Sequence, residues 1–128
     1  MIDFQHVDSE AAGHLRDLAD RAQGILIAAG IPASDWQDSL LRGGAAIEVD
    51  TGADAAGGVY IWWHVSEELA DQVNRCLLSH QFSHPSIQYS GKICEAMRDA
   101  IITVLSAAGL SAKASEDDMR PFAVSISG

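Results

Sequence analysis

The sequence has 128 residues, the length of one domain, and a single globular unit is expected over residues 1–128. Apolar residues make up 48% and charged residues 20%, which argues against wholesale disorder, and a chain of this length needs neither disulfide nor metal to build a core. Acidic residues number 18 against 8 basic ones, and the formal charge of −10 disfavours nucleic acid as a partner while attracting basic proteins.

The opening segment from Met1 to His6 has neither the basic stretch nor the apolar run of a secretory signal, and no stretch approaches the 18 or so apolar residues that span a membrane. The expectation is a cytoplasmic protein in which Cys76 and Cys94 are reduced thiols. Lys92 and Lys113 are the only lysines and alanine is abundant, a composition that points to a GC-rich bacterial gene.

Ala11, Leu15, Leu18, Ala22, Ile25, Leu26 and Ala29 recur at three- and four-residue steps and predict a helix from about Asp8 to Ala29. Asp8 or Ser9 can cap it, and Gly30 followed by Ile31-Pro32 stops it. Ser34-Asp35-Trp36-Gln37 reads as a cap opening a short helix before Gly43-Gly44, with Trp36 and Leu40 anchoring it to the core.

Ile47 and Val49 alternate with Glu48 and Asp50, Thr51–Gly58 supplies a turn, and Val59–Val65 is β-branched or aromatic almost throughout. The pair predicts an antiparallel hairpin. Ser66-Glu67-Glu68 opens a second helix, with Leu69, Val73, Cys76, Leu77 and His80 on its inner face, ending near His80. A third helix is expected to begin between Ser86 and Ser90 and to run to Ala108, with Ser90, Cys94, Met97, Ile101, Val104, Leu105 and Ala108 inward and Gly109 as its stop. Leu110–Ser115 and Phe122–Ser127 then read as a second hairpin around Glu116-Asp117-Asp118. The order α, short α, β, β, α, α, β, β predicts an α+β two-layer sandwich. In it, an antiparallel sheet of about four strands, in two hairpins, is covered on one face by two or three helices.

Strand residues alternate between faces. Ile47, Val49, Val59, Ile61, Trp63, Val65, Phe122, Val124 and Ile126 are expected to face the helices, burying Trp63. The opposite face then carries Glu48, Asp50, Tyr60, Trp62 and His64, with Ser111, Lys113, Ser115, Ala123, Ser125 and Ser127 beside them. Tyr and Trp next to carboxylates make a recognition surface, because such side chains bury much area while losing few rotamers. The competing reading is structural: cross-strand aromatics stabilise sheets in their own right, and the first helix could cover this face as a second core layer.

Other chemistry is thinner. His80 and His84, four apart, could share a metal with Cys76 one turn before, yet Pro85 argues that helix is ending there. The bland alternative is a buried Cys76, His80 at a helix C-terminus and His84 in a loop, and no metal or other cofactor is expected. Ser90-Gly91-Lys92 resembles a fragment of a phosphate loop, but position 93 is Ile, which excludes a Walker nucleotide site and leaves only a small anion at a helix start. Cys94 as a nucleophile would need His84 or His64 as base, while its place on an inner stripe marks it as an inert core thiol. Glu48 and Asp50 share a face and could form an acid/base pair, although any solvated strand shows the same pattern.

These features favour a non-enzymatic protein-binding module. It would be an acidic inhibitor, immunity or chaperone-type protein that grips a basic partner, or a second copy of itself, through Glu48, Asp50, Tyr60, Trp62, His64 and Lys113. The alternative is a small-molecule-binding protein or minor enzyme using the same face, which a concave pocket would favour over a flat surface.

Overall fold

In the computed structural model, which describes residues 9–38, 43–51, 58–116 and 120–128, helix α1 runs from Ser9 to Ala28. Ala19, Ala22 and Leu26 are buried against the sheet, whereas Ala11 and Ala29 at the ends of the expected stripe are exposed. Gly30, at φ +87°, turns the chain out of the helix.

A short strand, β1 (Ala33–Asp35), follows and pairs in parallel with β2 (Gly44–Asp50). β2 forms an antiparallel ladder with β3 (Gly58–His64), in which Ile47 opposes Ile61 and Glu48 opposes Tyr60. Helices α2 (Glu67–Leu78) and α3 (Pro85–Ala107) come next, then β4 (Ser111–Ala114) and β5 (Val124–Ser127). The strand order across the sheet is β1-β2-β3-β5-β4, so β5 inserts beside β3 and leaves β4 at the edge.

The α+β sandwich expected from the sequence is present, with one correction: the sheet is mixed and five-stranded rather than antiparallel and four-stranded. The added strand comes from the segment read as a helix cap. Both readings hold locally, since Ala45 N–H donates to the Pro32 carbonyl (2.8 Å) while Asp35 Oδ1 accepts from Gln37 N–H (3.0 Å). The residues from Gly44 therefore continue β2 beyond the Ile47 start read from the sequence, and Ala45 and Ala46 are fully buried. Leu40, much of the Thr51–Gly58 turn, and Asp117 and Asp118 lie outside the described residues.

One core forms between α1, α3 and the sheet, around Leu26, Ile101, Leu105, Val59, Ile61 and Val124. Each of these six fully buried side chains contributes on the order of 1.5–3 kcal/mol of burial free energy. Trp63 and Val49 pack partly buried against that core, on the face the alternation gives them. Phe122 departs from it: φ is +61°, the residue is 41% exposed, and β5 begins only at Val124. The turn at Arg120, closed by Ala123 N–H donating to its carbonyl (3.2 Å), twists Phe122 out of the ladder.

Both remaining helices shift at their ends. α2 stops at Leu78, because Ser79 caps it and His80 takes a left-handed φ of +58°; Leu77 and His80 are consequently exposed rather than inward, and Cys76 is the buried residue. α3 starts earlier than expected, at Pro85, whose missing N–H costs nothing in the first turn, and His84 caps it by accepting from Ser86 N–H (3.1 Å). Ala108 lies past the helix and is exposed.

Gly44 is where the backbone permits nothing larger: φ is +99°, and an added Cβ would sit 2.8 Å from the Pro32 carbonyl oxygen. Gly44→Ala should lower the unfolding free energy by about 2 kcal/mol. Gly24→Ala, mid-helix with nothing within 4 Å, should raise it by roughly 0.5–1 kcal/mol. Urea denaturation of the two variants beside the wild type checks both signs.

Candidate functional site

The site is built on β3. Its odd-numbered residues Val59 and Ile61 are in the core, so the pleat turns Tyr60, Trp62 and His64 to the other side of the sheet, where Glu48 and Asp50 of β2 also project. Tyr60, expected on an exposed face, is buried there under the Arg120 guanidinium, whereas Trp62 and His64 are half-buried. Lys113 joins the same face: Lys113 opposes Ser125 and Ser125 opposes Tyr60, so Glu48, Tyr60, Ser125 and Lys113 form one row over four strands. At about 4.8 Å per strand Lys113 lies about 10 Å from Tyr60. It is exposed on the edge strand, outside the cluster that follows.

The cluster centres on Arg120, which sequence reasoning passed over. Its Nε donates to Glu48 Oε1 (3.1 Å), its Nη2 donates to Asp50 Oδ2 (2.8 Å), and its guanidinium lies 4.1 Å from the centre of the Tyr60 ring. A residue next to β5 thus reaches over β3 to clasp β2. The three charged side chains are only 20–27% exposed, so the pairing is screened far less than a surface ion pair. A signal for it existed: two carboxylates two apart on a strand face want a cation, and Arg120 is the one basic residue after Lys113.

Beside this clasp stands a group of aromatics. Trp62 Nε1–H donates to His64 Nε2 (2.8 Å), which requires that nitrogen to be unprotonated. The Trp62 ring meets His64 edge-on at 5.9 Å and Trp36 at 6.5 Å with a 41° tilt. Trp36 was expected in the core; it instead stands half-buried on the opposite face of the sheet, because helical residues 36–38 follow β1 on that side. Together Trp36, Glu48, Trp62, Arg120, Pro121 and Ala123 line a concavity of about 490 Å³. Its lining is two indoles, a proline, a small residue, one carboxylate and one guanidinium.

Of the other candidates, Cys76 and His84 meet at Ser86, and His80 does not join them. Cys76 Sγ lies 3.7 Å from Ser86 Oγ, and His84 Nδ1 is 2.8 Å from that same hydroxyl, so Cys76 and His84 serve the start of α3. His80 turns away and packs edge-on against Phe82. Among the described residues no group of three or more His, Cys, Asp or Glu side chains is placed to hold a metal ion. Ser90, Gly91 and Lys92 lie in the second turn of α3 rather than at its start, which corrects the placement of an anion site there. Cys94 Sγ approaches the Trp63 carbonyl (3.7 Å), and burial pushes its thiol pKa up, which disfavours the thiolate a nucleophile needs. Among the described residues no helix is long and apolar enough to cross a membrane.

Compared with known proteins, the chain matches no family model, no curated protein and no solved structure.

Arg120→Ala should lower the unfolding free energy by about 1–3 kcal/mol, between the values for surface and fully buried ion pairs. In a double-mutant cycle with Glu48→Gln, the coupling should exceed about 0.5 kcal/mol, and additivity would show that the clasp contributes nothing.

Proposed function

We propose that this chain is a protein-binding module that docks a basic partner protein on the open face of its sheet, in the manner of an acidic inhibitor, immunity or chaperone-type protein working in the cytoplasm. The observation that carries the reading is the pair Trp36 and Trp62, half-buried around a concavity on the sheet face away from α1 and α3. Aromatic side chains in a hollow beside charged groups are the usual anchors of protein interfaces. The net charge of −10 supplies attraction toward a basic surface over about 10 Å at moderate salt.

Arg120 changes how that face attracts its partner. It neutralises one of the two carboxylates at Glu48 and Asp50, so local steering by this pair is weaker than the sequence implies and the whole-molecule charge carries the long-range part. Trp62 and Trp36 then set the lifetime of the complex, through burial after encounter.

The concavity itself favours a second reading, a small-molecule site on the same residues, because about 490 Å³ is within the range of ligand pockets. A capture experiment separates the two. Immobilised wild-type protein should retain a basic protein from host lysate in stoichiometric amount, release it at high salt, and lose it in Trp62→Ala. A partner retained equally by Trp62→Ala contradicts the docking face. Self-association that disappears on dilution and in Trp62→Ala would identify a homodimer through this face instead.

A further inference from the structure

We infer that the concavity between Trp36, Trp62 and Glu48 receives the guanidinium group of an arginine side chain of the partner. This inference rests on the docking reading above and specifies the chemistry of its anchor.

Glu48 and Asp50 carry two negative charges and Arg120 one positive, so the clasp retains a net −1 in a protein of net −10. Arg120 is committed on two edges and one face: Nε to Glu48, Nη2 to Asp50, and its plane to the Tyr60 ring. Glu48 uses Oε1 for Arg120, while its Oε2 accepts no hydrogen bond among the described residues. Glu48 lines the hollow with its side chain 27% exposed, so its carboxylate can accept a further hydrogen bond there.

The choice among ligands follows. An anion would meet Glu48 and the field of the whole protein. A neutral apolar group would cover Glu48 Oε2 without giving it a partner, which carries the desolvation cost of an unmet charged acceptor. A cation shares the hollow with Arg120, whose charge Glu48 and Asp50 together outweigh, and it meets the indole faces, whose quadrupoles attract positive charge within about 6 Å. Between the two cationic side chains, the planar guanidinium lies flat on an indole while its fork of N–H groups still reaches a carboxylate; an ammonium cannot do both. Pro121 and Ala123 complete the hollow with apolar surface suited to the methylene stem. Arg120 on Tyr60 beside Glu48 and Asp50 is the same arrangement already made within the chain, two residues along β3 from Trp62 on the same face.

The probe is N-acetyl-arginine amide, with its citrulline counterpart as a neutral isostere and its lysine counterpart as a point charge. The indole N–H signals of the three tryptophans report separately by NMR. The arginine probe should shift the Trp36 and Trp62 signals saturably, with a Kd of the order of 1 mM for so small a ligand, and leave Trp63 unmoved. The citrulline probe should bind about tenfold more weakly, and the lysine probe measurably more weakly than arginine. Glu48→Gln should weaken the arginine probe about fivefold or more, with an unmoved Trp63 signal certifying the fold. Equal binding of citrulline or lysine, an unaltered affinity in Glu48→Gln, or no shift at all overturns the inference. A basic partner captured through Trp62 beside a silent arginine probe overturns this inference alone. Probe binding without any captured partner supports the guanidinium site and overturns the docking reading.

Discussion

The pleat of one strand governs this protein. β3 has β2 on one side and β5 on the other, and its alternation sends Val59 and Ile61 into a core with Leu26, Ile101 and Leu105. The same alternation obliges Tyr60, Trp62 and His64 to the other side of the sheet. A one-residue slip would exchange the two sets, placing a histidine and a tyrosine hydroxyl in the helix layer and the core aliphatics outside. The register is therefore fixed by the burial of the aliphatic set, and the aromatic face is its geometric consequence.

Arg120 gives that face its definite form. The strand pairings alone would leave Glu48 and Asp50 as neighbouring like charges on β2, a mildly unfavourable arrangement. The guanidinium, lying over Tyr60 and bonded to both carboxylates, turns the repulsion into a link from the β5 end of the chain to β2. It also positions Pro121 and Ala123 at the wall of the hollow that Trp36 and Trp62 flank. In the proposed function these residues would serve both structure and recognition, with the net negative remainder of the clasp favouring a cationic anchor.

Periodicity made most of the fold legible in the sequence. The three long helices, the β2–β3 ladder and the side of the sheet taken by each of Glu48, Tyr60, Trp62, Trp63 and His64 follow from steps of two and of three or four residues. What escaped was non-periodic. β1 is three residues long, too short to show alternation, and each of its residues pairs in parallel with one twelve positions on. Phe122 obeys the two-residue step from Val124, yet the turn at Arg120 gives it a left-handed φ and carries it out of the ladder. Pro85 looked like a helix breaker and is a helix opener, because position within the first turn decides which role a proline plays. Trp36 and Arg120 depend on where two connections pass over the sheet, and that is set by tertiary geometry rather than by any local pattern.

The central claim is that adjacent tryptophans on one strand serve different ends: Trp63 holds the fold and Trp62 serves the open face. Urea denaturation of Trp62→Ala and Trp63→Ala tests it most directly. The account predicts a loss of about 3 kcal/mol for Trp63→Ala, which removes an aromatic packed against the core, and about 1 kcal/mol for Trp62→Ala, which removes its ring contacts with Trp36 and His64. Equal losses, or a larger one at Trp62, would show that the aromatic face is a second layer of core and contradict the account.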